Sequence, residues 1–212
     1  MFYLAADCQE LLMNALLSSA RNALLAGIVL ALAAIAVGIA VERVDALGFT
    51  SFVLRAIHVV AAIIWVGMIW FVNFVQHPAV VAADDHGRAT LFRLVVPHVA
   101  TIFRHTSHLV LLSGALLLLP TGYLLSPWVF GAQFHMSMTK ALLLWGAAAG
   151  AVAMWVFVHM IIWPNLQIVL GEKAANAEAK AAARAKVALY ARANLLLAIP
   201  VTVLMVAAAH LF

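Results

Sequence analysis

Five runs of apolar residues, each about as long as the hydrocarbon layer of a membrane is thick, constrain this chain more than anything else in it. Crossing that layer takes roughly 20 residues at about 1.5 Å each. The runs lie at about 20–41, 52–75, 101–119, 136–163 and 187–210. In lipid every backbone N–H and C=O must be satisfied within the segment itself, so runs of this kind fold as helices. The expected fold class is therefore all-α: one integral membrane bundle of five transmembrane helices over residues 1–212, with charged connections at 76–100 and 164–186. Composition agrees, with 67% of residues hydrophobic and 9% charged, far from the balance of a soluble domain. Pro78, Pro97, Pro120, Pro127 and Pro164 fall at or beyond the ends of runs. Pro200 alone lies inside one and predicts a kink there.

An odd number of spans puts the termini on opposite sides. One side holds the N-terminus and both charged connections, and collects Arg21, Arg88, Arg93, Arg104, Lys173, Lys180, Arg184, Lys186 and Arg192. The other holds Arg43, Arg55 and Lys140. Positively charged loops stay in the cytoplasm, so the N-terminus is expected inside and the C-terminus outside. Within the first connection, Asp84 to Val96 reads as a short amphipathic helix on the membrane surface. The second, Ala-rich and of mixed charge, should be helical and extend a neighbouring span.

Several classes of chemistry are excluded. The single cysteine, Cys8, rules out a disulfide framework, a cysteine-rich metal centre and a covalently attached haem. Neither a phosphate-binding glycine loop nor a nucleophile elbow occurs. The formal charge of +4 bears on orientation rather than on nucleic acid, which is not an expected partner. The opening "MFYLAADCQE" has no basic region and is not expected to be a cleaved signal peptide.

Nine histidines in so apolar a chain are the main chemical signal. His77, His86 and His98 belong to the first charged connection, and His135 to the outer mouth of the fourth run. His58, His105, His108, His159 and His210 lie within the runs or at their edges, where an ionisable group is costly and normally has an interior partner. Helical rise sorts them by depth. His58 and His210 form an outer tier; His159 with His108 or His105 forms an inner one. Two tiers of imidazoles on different helices suit a bundle holding one or two haem b groups, the iron ligated by His58 and His210 or by His108 and His159. His105 shares a face with His108 and could hold a propionate or a proton. On the second run, His58, Ala62, Trp65, Ile69 and Gln76 make one stripe with Asn73 beside it, which suits the lining of a cofactor or substrate cavity. Arg104 and Arg192 could pair with haem propionates, or snorkel to lipid phosphates. Zinc or copper held by histidine alone is the other metal reading.

The stretch "HVVAAIIWVGMIWFVNFVQ", followed by "RHTSHLVLLSGALLL", "MWVFVHMIIWPNLQIVLG" and "ARANLLLAIPVTVLMVAAAHLF", resembles the membrane domain of the bacterial membrane-bound urate oxidase family. The resemblance runs from His58 onward and is strongest in the last third; it does not extend to the cytochrome c domain often fused after the last span in that family. It implies a multi-pass redox protein of the bacterial inner membrane that passes electrons to a periplasmic cytochrome c or another redox subunit. The second run alone is also similar to the short haem-binding protoporphyrinogen oxidases. The expected function is thus a haem-b electron carrier or oxidoreductase with no catalytic residue assigned. The alternatives are a non-catalytic subunit of a membrane complex whose histidines brace helices, and a protoporphyrinogen-oxidase-like enzyme.

Overall fold

Short polar side chains start the helices. In the computed structural model, which describes residues 14–42, 44–123 and 137–211, Ser19 caps α1 (Ala20–Val41) by accepting from Asn22 N–H. Asp84 caps α4 (Asp85–Leu94) through Gly87 N–H, Ser137 caps α6 (Met138–Val156) through Lys140 N–H, and Asn176 caps α8 (Ala177–His210) through Ala179 N–H. Each side-chain oxygen satisfies a first-turn donor that has no partner within its helix. Between them run α2 (Ala46–Phe71), α3 (His77–Ala82), α5 (Val96–Leu117) and α7 (Trp163–Leu170). No strand occurs among the described residues. Pro127 and His135 lie outside them.

The chain divides into two compact units, Met1–Phe49 and Thr50–Phe212. In the first, α1 is apolar from Ala23 to its end and buries none of its residues. In the second, the core gathers Ala61, Trp65 and Ile69 from α2, Val110 from α5, Met154 from α6 and Ala198 from α8. Its outer surface keeps large apolar side chains exposed, among them Ile63 at 66% and Leu196 at 76%, as a lipid-facing surface requires. Four helical stretches, Ala20–Val41, Ala46–Ala82, Met138–Leu170 and Ala177–His210, are long and apolar enough to cross a membrane. The helix α5, which carries Arg104, His105 and His108, is not among the four.

Two of these stretches run further than the prolines suggest. Pro78 and Pro164 read as ends, yet each sits inside a helix that carries on, to Ala82 and to Leu170. The reason lies just before each proline. A proline nitrogen has no hydrogen to donate and its ring clashes with the carbonyl four residues back. Here the chain widens into a π-helical turn, Val72–Gln76 before α3 and Phe157–Ile162 before α7. The residue preceding each proline then donates five residues back, His77 N–H to Val72 O and Trp163 N–H to Val158 O. Pro200 lies inside α8, which continues through it to His210. The amphipathic piece expected at 84–96 is α4, and the Ala-rich connection is helical except for a break that opens at Gly171, whose φ of 83° ends α7 in the left-handed region. That conformation favours glycine.

Small residues let α6 and α8 approach. Ala147 and Ala151 of α6 are buried, and a β-carbon on Gly150 would meet Val201 Cγ2 of α8 at 2.6 Å. Gly150→Ala should therefore lower stability by about 1 to 3 kcal/mol, the usual cost of overpacking. Thermal unfolding in detergent measures it, and the double variant Gly150→Ala with Val201→Ala should recover most of the loss.

Candidate functional site

The second π-helical turn projects His159 toward α5, and an imidazole–indole stack forms around it. The His108 and His159 rings lie 4.1 Å apart between centroids with a 34° tilt, and Trp155 lies 4.6 Å from His159. Ser107, fully buried, anchors the stack. Its hydroxyl donates to Arg104 O at 2.7 Å, so its oxygen accepts from His159 Nε2–H at 2.9 Å. His159 keeps its lone pair on Nδ1. On the other side, the Trp155 indole N–H donates to His108 Nδ1 at 3.1 Å. A neutral imidazole accepting at Nδ1 carries its proton on Nε2. His108, so arranged, has no free lone pair to offer a metal. One turn further, the Arg104 guanidinium lies 4.0 Å over the Trp163 ring, a cation–π contact.

His58 is held differently. Its Nδ1–H donates to Val110 O at 3.0 Å and reaches Ser113 Oγ at 3.3 Å. Ser113 spends its own proton on the carbonyls of Leu109 and Val110. Gly114 makes room for this arrangement, since a β-carbon there would stand 2.8 Å from His58 Cε1. A histidine whose Nδ1–H is fixed on a backbone carbonyl presents Nε2 with its lone pair free, the tautomer and orientation typical of a metal ligand.

A second feature lies where the first π-helical turn faces α8. Asn73 Nδ2 donates to Ile69 O and, across the gap, to Ala191 O at 3.2 Å. Behind it an inner chamber of about 80 Å³ is lined by Asn73, Gln76, Arg104, Trp163 and Asn194 among apolar neighbours. It shares Val72, Asn73, Gln76, Val96, Leu166, Val187 and Ala191 with an outer cleft of about 360 Å³, which His77, Arg88, Arg184 and Arg192 also line.

The expected site residues thus fall into separate places. The structure brings His108 and His159 together, but side by side; ligands to one ion must each aim a lone pair at a common point about 2 Å away. His210 is exposed at the end of α8 with no polar partner among the described residues. His105 is exposed and donates Nδ1–H to Thr101 O at 2.7 Å. Trp65 is 2% exposed and packs edge-on to Phe103, a core residue rather than a cavity wall. Asn73, Gln76, Arg104 and Arg192 converge on the chamber and cleft. Among the described residues no group of three or more His, Cys, Asp or Glu is placed to hold a metal ion. His58, with Nε2 unclaimed, is the histidine whose hydrogen bonding would suit a haem ligand, whereas the stacked His108 and His159 do not aim two lone pairs at one point.

Sequence reasoning missed Ser107, Trp155, Trp163 and Asn194. Asn194 had a signal, being an amide within a long apolar run; the two tryptophans had none, because tryptophan at helical spacing is ordinarily packing. Comparison with protein-family models, with curated proteins and with solved structures returned no match.

Trp155→Phe keeps the stacked ring and removes the N–H that His108 accepts. It should cost about 0.5 to 1.5 kcal/mol, the net worth of one hydrogen bond, whereas Trp155→Ala should cost about 3 to 5 kcal/mol. Denaturant unfolding of the detergent-solubilised protein compares the two.

Proposed function

We propose that this chain is a haem-b-binding protein of the bacterial inner membrane that carries electrons between the bilayer and a periplasmic cytochrome c. In this reading the chain makes five spans, α5 included, with its N-terminus in the cytoplasm and its C-terminus outside. The observation that carries it is the seating of His58. Its Nδ1–H on Val110 O fixes the tautomer, Ser113 steadies the ring, and Gly114 lets the ring lie against α5. A bound haem would supply a one-electron couple whose potential depends on the ligand and its hydrogen bonds. The protein's own part is to hold Nε2 of His58 in place and keep the surroundings apolar.

A second reading has an observation of its own. Within the stack Trp155 donates to His108 and His159 donates to Ser107, so each of the three rings has a nitrogen tied to a neighbouring side chain. That favours a bracing role for this pair, as in a non-catalytic subunit of a larger membrane complex.

A reduced-minus-oxidised absorbance spectrum of the purified full chain separates the two. The haem reading expects a b-type spectrum that His58→Ala abolishes and His210→Ala leaves intact. Gly114→Ala, which pushes on the His58 ring, should alter the spectrum while the helical content holds. A haem signal indifferent to His58→Ala would sink the ligand assignment, and absence of haem after gentle extraction would favour bracing.

A further inference from the structure

The chamber behind Asn73 holds polar atoms that the protein itself leaves without partners. Asn194 is 1% exposed, and both its Nδ2 and its Oδ1 are buried with no hydrogen bond among the described residues. Arg104 Nε and Gln76 Oε1 are in the same state. Leaving such groups uncompensated costs about 1 to 3 kcal/mol each, and all three side chains line one cavity.

Charge narrows what would compensate the two donors among them, Arg104 Nε–H and Asn194 Nδ2–H, the amide oxygens being left to water. The residues lining the chamber and the cleft include Arg88, Arg104, Arg184 and Arg192 and not one Asp or Glu. Arg88 is committed to Asp85 and to the carbonyls of Val80 and Ala83. Arg104, Arg184 and Arg192 have no ion pair among the described residues. A half-buried guanidinium facing a carboxylate-free cavity is an incomplete pair. Water could fill the chamber but would not neutralise it. Apart from its arginines and Asn73, Gln76 and His77, the outer cleft is walled by apolar side chains, Val80, Val81, Phe92 and Val169 among them.

We infer that the chamber and cleft form a binding site for an amphipathic anion, a carboxylate or phosphate headgroup on an apolar body. The oxyanion sits in the chamber, accepting from Arg104 Nε–H and Asn194 Nδ2–H. The apolar body lies along the outer cleft, and Arg184 and Arg192 at its rim draw the anion in. The first π-helical turn builds the site, because Asn73 and Gln76 both belong to it. A single-turn π-helix inside an α-helix is frequent at functional sites. The site is independent of any haem at His58.

The test uses the full chain, delipidated in detergent, with octanoate, octanol and inorganic phosphate as probes and thermal shift and equilibrium binding as readouts. Octanoate should bind saturably and raise the unfolding midpoint, with octanol and phosphate far weaker. Asn194→Leu should weaken octanoate binding by about tenfold, and so should the exposed double variant Arg184→Gln with Arg192→Gln. Asn194→Leu keeps the branched shape, places its larger methyl groups against the chamber and removes the orphan amide, so its fold should be as stable as that of the parent. Octanol or phosphate binding as tightly as octanoate overturns the proposal, as does an Asn194→Leu variant of unchanged affinity. Binding of no probe, the result if water alone fills the space, overturns it too. Native mass spectrometry from nanodiscs with and without phosphatidic acid identifies the source. One anionic lipid retained per chain marks a lipid headgroup; octanoate binding without lipid retention marks a free acid.

Discussion

Two proline nitrogens without hydrogens govern this molecule. In an apolar surrounding, an α-helix that meets proline must leave a carbonyl unsatisfied, break, or change its hydrogen-bond spacing. At Pro78 and Pro164 it changes spacing, and the donor just before each proline reaches five residues back. The histidine–tryptophan stack and the chamber behind Asn73 are both built on the resulting turns. Asn73 and Gln76 come from the first, and His159 from the second, with Trp163 immediately after it. The helices stay continuous, and the irregularity is spent on aiming side chains inward.

The helices were legible in the sequence because hydrocarbon length and apolar composition leave little choice. The first run coincides with α1, and the amphipathic piece after Asp84 is a helix of its own. The π-helical turns were not legible. Proline reads as punctuation, and nothing in "NFVQHP" or "HMIIWP" says whether a helix ends or widens. That choice depends on tertiary packing, since His159 reaches Ser107 and Asn73 reaches Ala191 from the widened turns. The approach of α6 to α8 at Gly150 was equally hidden, because a glycine in a long apolar run does not announce its neighbour.

For the histidines, depth was readable and direction was not. Counting residues along each run placed His108 level with His159, and the two rings do meet. The same counting paired His58 with His210, yet His58 turns to α5 and His210 lies exposed at its helix end. Depth follows from rise per residue; facing depends on how each helix is rotated, which only packing sets. The hydrogen bonds then decide what each imidazole can do. His58 donates and keeps Nε2 open, whereas His108 accepts at Nδ1 and thereby closes both of its nitrogens.

Each π-helical turn amounts to one residue inserted into an α-helix without lengthening it by a full step. Removing a single residue from Phe157–Ile162 would return that stretch to ordinary spacing, and the helix on either side would keep nearly its present phase, because the wide turn already absorbs the extra residue. Only the residues within the turn itself would be re-aimed. Trp155 and Trp163, which lie on either side of the turn and meet His108 and Arg104 of α5, would keep their directions, whereas His159 would lose the register that carries it to Ser107. The length of this segment is therefore as much a part of the site as the identities of its residues, and a substitution scan that keeps length constant would never reveal it.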